Sequence, residues 1–111
     1  MHRANISDYF GGWFIGNFEP TMMKTSDFEV CLKRYAKGDR EALHFQVQSV
    51  EFSLIIEGRC RIGDFELGPN ELLRIEPLEA ADFEALTDVV LVAVKIPSIP
   101  DDKKLGSAND Y

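Results

Sequence analysis

His44, Gln46 and Glu51 are the residues of this 111-residue chain whose types and spacing could do chemistry. They fall in the run HFQVQSVEFSLIIEG, residues 44–58. Strand alternation turns His44 and Gln46 to one side of a strand, and Glu51 to one side of the next. An imidazole and a carboxylate on neighbouring strands suit either of two tasks: holding a metal, or pairing a general base with a charge. Gln46 stands where a second imidazole would strengthen the metal reading. Its neutral amide oxygen is a weak donor to Fe, Mn, Ni or Zn.

Composition narrows the partners. Twelve Lys and Arg against 19 Asp and Glu leave a formal charge of −7. Nucleic-acid binding needs clustered cations, so this balance argues against it. Arg34, Lys37 and Arg40 are the nearest thing to a basic patch, and Asp39 and Glu41 dilute it. Cys31 and Cys60 form no CxxC pair and lie in strand-like runs. Buried free thiols in a reducing, cytoplasmic compartment are therefore expected. The opening MHRANISDYFGGWFIG lacks the apolar stretch of a signal peptide, and no run approaches the roughly 20 apolar residues of a membrane span.

The elements that must position these residues are strands. Short β-branched and aromatic runs are punctuated by Gly, Pro, Asn and Asp, which predicts an all-β sandwich or barrel. Strands are expected over 13–18, 28–35, 44–47, 50–56, 59–62, 71–76, 81–85 and 89–96. Glu57-Gly58, Gly63-Asp64 and Gly68-Pro69-Asn70 mark the reversals. Within 50–56, Val50, Phe52, Leu54 and Ile56 share a wholly apolar face, and Glu51, Ser53 and Ile55 share the other. An apolar face needs a cover, and with the aromatic N-terminus it predicts a homodimer. Trp13, Phe45 and Phe83 read as core. Residues 98–111, SIPDDKKLGSANDY, read as a polar C-terminal arm on a single domain of residues 1–97.

Gly38, His44, Gln46, Glu51 and Gly58 resemble the first motif of the cupin superfamily, G-x5-H-x-H-x3–4-E-x6-G, with Gln46 in place of its second His. The second motif, G-x5-P-x-G-x2-H-x3-N, matches poorly. Leu72-Leu73-Arg74-Ile75 and Glu76-Pro77 are similar to its strand and Pro, but Leu78 replaces its Gly and Ala81 its His. The resemblance implies a jelly-roll β-barrel, the double-stranded β-helix. The C-terminal run from Glu76 to Lys103 looks like short cupins of bacterial and phage surface-sugar biosynthesis. That likeness implies carbohydrate or nucleotide-sugar chemistry nearby.

Carried over residue by residue, the family's metal ligands fall on His44, Gln46 and Glu51, with Ala81 offering nothing. Asp82 or Glu79 could complete a His-plus-carboxylate triad, but Asp82 has the wrong alternation and Glu79 falls in a turn. No cofactor is expected, with a divalent metal held by His44, Gln46 and Glu51 as the alternative. The leading expectation is a barrel that binds a small polar, carbohydrate-related ligand, with His44 as general base beside Glu51, and Gln46, Arg74 and Asp82 contacting the ligand. Such a site suits a metal-independent isomerase or epimerase. The alternatives are a metal-dependent enzyme and a non-catalytic accessory or regulatory barrel.

Overall fold

Side-chain alternation and tight turns build eleven strands in the computed structural model, which describes residues 1–111. They are β1 (Trp13–Gly16), β2 (Met23–Lys24), β3 (Glu29–Tyr35), β4 (Arg40–Gln46), β5 (Val50–Glu57), β6 (Cys60–Ile62), β7 (Phe65–Leu67), β8 (Leu72–Ile75), β9 (Ala81–Ala85), β10 (Val89–Ile96) and β11 (Lys103–Leu105). The expected turns lie between them. Gly58 links β5 to β6 at φ 83°, and a Cβ there would run into the Asp88 carbonyl oxygen, so glycine is required.

The strands form two sheets. One has the order β2-β1-β3-β10-β5-β8 and the other β11-β4-β9-β6-β7. All neighbours are antiparallel except β1 and β2. The inner faces close on a core that includes Cys31, Ile55, Cys60, Ile62, Phe83, Ala85, Val89 and Leu91. Phe83 stacks on Tyr35 with ring centroids 4.3 Å apart. Both cysteines are free and buried. Burial pushes the Cys31 thiol up to about 12 and raises Cys60 as well, which keeps both protonated and unreactive.

The alternation of β5 orders the molecule. Ser53 and Ile55 are buried, while Ile56 on the other face is exposed. Along its inner face the residues change from Ile55 through Ser53 to Glu51, and along β10 from Val89 through Leu91 and Ala93 to Lys95. One end of the barrel is therefore packed and apolar, and the other is polar and open to a ligand.

The strands depart from the sequence expectation in three ways. β4 begins at Arg40, four residues earlier than expected, in a polar stretch that pairs with β9. Between the Glu41 and His44 pairs one residue of β9, Asp82, faces two of β4, Ala42 and Leu43, which is a β-bulge. β2 and β7 are too short to show periodicity. The third difference is the C-terminal segment, which is not a trailing arm. Lys103–Leu105 pairs with β4 as β11, and the buried Asp102 carboxylate accepts from the backbone N–H groups of Gln48 and Ser49, the latter at 2.9 Å. Pairing, not apolar content, makes this strand. No helix is long and apolar enough to cross a membrane.

Candidate functional site

At the polar end of the barrel lies a cavity of about 60 Å³ between the two sheets. His44 and Gln46 reach it from β4, and Glu51 and Ser53 from β5. Four residues not singled out by sequence join them: Lys33 from β3, Glu41 from β4, Lys95 from β10 and Lys103 from β11. Glu41 and His44 are three positions apart, so a regular strand would send them to opposite faces. The bulge between them turns both inward.

Each side chain has a defined environment. The His44 ring nitrogen Nδ1 lies 2.8 Å from the Ala42 carbonyl. A carbonyl only accepts, so Nδ1 carries the proton, and in the neutral ring Nε2 keeps its lone pair. Gln46 is only 3% exposed and its backbone carbonyl accepts from the Leu78 N–H at 2.8 Å. Its side-chain Nε2 has no hydrogen-bond partner. A buried, unpartnered amide N–H costs stability and asks for an acceptor.

Glu41 accepts from the Tyr35 hydroxyl at 3.0 Å and lies 3.9 Å from the Lys33 ammonium. Burial, reinforced by this carboxylate, pushes the Tyr35 hydroxyl far above its ordinary range. Tyr35 therefore stays protonated as a donor. Trp13 is half-buried at the cavity wall, with the Lys95 ammonium 4.8 Å and the Lys33 ammonium 5.7 Å from its ring centre. Both cations rest on the ring's negative face. Trp13 is thus a wall of the site, whereas Phe45 and Phe83 are buried as expected.

Of two further expected ligand contacts, Arg74 lies away from the cavity and Asp82 lies at its border. Arg74 pairs in register with Phe52 on the outer face of β8, bonds Glu76, and does not line the cavity. Asp82 borders the cavity but sits between inward-facing Ala81 and Phe83, and Arg61 takes its carboxylate in two bonds of 2.9 and 3.0 Å. That pairing holds the Asp82 carboxyl below its usual range. Glu51 lies opposite Lys95 in register but makes no ion pair, and it makes no hydrogen bond with His44.

This architecture defines a double-stranded β-helix, two antiparallel sheets closed around a pocket at one end. The fold is that of the cupins. A conserved protein with a double-stranded β-helix domain from Klebsiella pneumoniae matches over 95% of this chain and 91% of its own, at 15% identity and TM-score 0.71. An RmlC-like cupin from Shewanella frigidimarina matches over 69% of this chain and 72% of its own, at 15% identity and TM-score 0.62. Oxalate decarboxylase from Bacillus subtilis, which has Mn(II) centres, matches over 67% of this chain and 22% of its own, at 18% identity and TM-score 0.58. No family model and no curated protein matches the sequence.

The residues present do not suit such a metal. No three His, Cys, Asp or Glu side chains cluster as ligands. Of the two carboxylates expected to complete a triad, Asp82 is bound to Arg61 and Glu79 accepts from the Glu76 N–H at 2.8 Å. Lys33 and Lys95 place two ammonium groups along the same cavity, and like charge repels a cation. The set His44, Gln46 and Glu51 is better furnished for hydrogen bonding.

Proposed function

We propose that this barrel captures a small polar, carbohydrate- or nucleotide-sugar-related ligand and acts on it by proton transfer, as a metal-independent isomerase or epimerase. The observation that carries this reading is the state of His44. Its Nδ1–H is committed to the Ala42 carbonyl, which leaves Nε2 as a base in a residue lining the cavity. The imidazolium so formed is the group that returns a proton to the substrate, because the Tyr35 hydroxyl in the same cavity is held by Glu41 and raised far above its ordinary range. The 60 Å³ interior admits only the reacting group. The rest of a ligand would lie in the open groove that shares Trp13, Gln46, Lys95 and Lys103 with the cavity.

A second reading, a non-catalytic accessory or regulatory barrel, draws on the absence of a bond between His44 and Glu51. Without that bond Glu51 takes no direct part in a proton transfer at His44. Thermal-shift screening with sugars and nucleotide sugars identifies a ligand, and NMR in deuterated solvent then separates the readings. An isomerase or epimerase of this type incorporates solvent deuterium at the carbon it deprotonates, and His44→Ala abolishes that incorporation while the fold remains. Binding with no incorporation would support the accessory barrel.

Two further proposals concern the whole protein. The exposed outer face of the six-stranded sheet supports a homodimer. The two buried, unpaired thiols support a cytoplasmic location.

A further inference from the structure

The cavity contains two hydrogen-bond donors that the protein itself does not use. Gln46 Nε2 is one, in a side chain that is 3% exposed. The Lys95 ammonium is the other. Glu29 and Glu51 face Lys95 on the two adjoining strands, yet neither pairs with it. The Glu29 carboxylate instead accepts from the Ser98 hydroxyl at 2.9 Å, and the cavity's other interior cation, Lys33, is the one near Glu41. What holds Lys95 is the Trp13 ring, a neutral surface that leaves its N–H groups unpaired.

Gln46 and Lys95 both line the cavity and the adjoining groove, which places the two free donors along the boundary between them. Lys103, an exposed side chain, adds a second cation at the same place. An ammonium and a buried amide N–H together match an acceptor carrying one negative charge spread over two oxygens. Glu41 and Glu51 within the cavity weigh against a doubly charged phosphate.

We propose that this junction is a carboxylate site, in which Gln46 Nε2 and Lys95 Nζ each donate to the carboxylate of a small organic acid whose body extends over Trp13 into the groove. This rests on the reading of the barrel as a ligand-capturing pocket, and it names the ligand's class. A sugar acid is the natural probe.

Trp13 is the only tryptophan in the chain and lies beneath Lys95, so its fluorescence reports on the site directly. D-glucuronate, its neutral amide D-glucuronamide and inorganic phosphate are titrated against the full chain, Lys95→Met and Gln46→Met. Gln46→Met keeps the side-chain length, Lys95→Met ends at the position of Cε, and both remove the donor. The expected result is saturable glucuronate binding at least ten-fold tighter than that of the other two probes, weakened about ten-fold or more in each variant. Cooperative melting of each variant shows that the fold is kept. Equal affinity for glucuronamide or phosphate, or an unchanged Lys95→Met, overturns the carboxylate site. Silence towards glucuronate, while a neutral sugar or nucleotide sugar raises the melting temperature, overturns it and leaves ligand capture standing. Silence towards the whole panel overturns both.

Discussion

At the scale of single residues, the site is set by what Gln46 and its neighbours lack. A fully buried amide with an unpartnered N–H destabilises the free protein, by about 1–3 kcal/mol for a group of this kind. Gln46→Met is therefore expected to match or raise the melting temperature while weakening ligand binding. A fall of several degrees in scanning calorimetry would show that the amide serves the fold instead. The places of His44, Gln46 and Glu51 along the cavity were legible in the sequence because the end of β4 and the start of β5 keep their strand parity there. Lys33 and Lys95 carried a signal that went unread. Each stands two positions from a buried inward residue, Cys31 and Ala93, and so shares its face. Glu41 carried no such signal, because the bulge reverses its parity and alternation alone sends it outward.

At the scale of elements, two polar anchors tie segments of the chain together. Asp102 fixes the segment before β11 through charge-assisted bonds to the Gln48 and Ser49 N–H groups. Asp102→Ala is expected to destabilise the protein by about 2 kcal/mol in urea titration, since the buried N–H groups lose their acceptor. Loss of amide-exchange protection should concentrate in β11. An unchanged midpoint would show that strand pairing suffices. Residues 98–111 read as a polar arm because their hold on the barrel is a carboxylate and a sheet edge, and neither produces periodicity.

Arg61 and Asp82 join β6 to β9 on the outer face. A depressed carboxyl contributes stability that is fully present above its unfolded value of 3.8 and is lost as pH falls through the folded one. Asp82→Asn should therefore melt below the parent at neutral pH, and the gap should close in acid. A gap constant with pH would contradict the ion pair as its source.

At the scale of the whole molecule, the fold was the most legible feature, because strand alternation and glycine turns specify a two-sheet barrel wherever the chain reverses. The outer face of the six-stranded sheet leaves Ile56, Leu72 and Ile96 exposed, beside half-buried Val50, Phe52 and Leu54. The chain's N-terminal residues Ala4, Ile6 and Tyr9 cover only the part around Phe14, Leu32 and Val92. A dimer closing the remainder should show twice the monomer mass by light scattering at micromolar concentration, and Leu54→Lys should return it to the monomer. A monomeric parent would count against this proposal without touching the site.

The central claim is the proposal that this pocket works through hydrogen bonds and a proton, with ammonium groups along its cavity and no bound metal. Plasma mass spectrometry on untagged protein, after reloading with Fe, Mn, Ni and Zn and beside His44→Ala and Glu51→Ala, tests it most directly. The account predicts far less than one metal ion per chain, with no difference among the three proteins. Near-stoichiometric metal that disappears in both variants would contradict it.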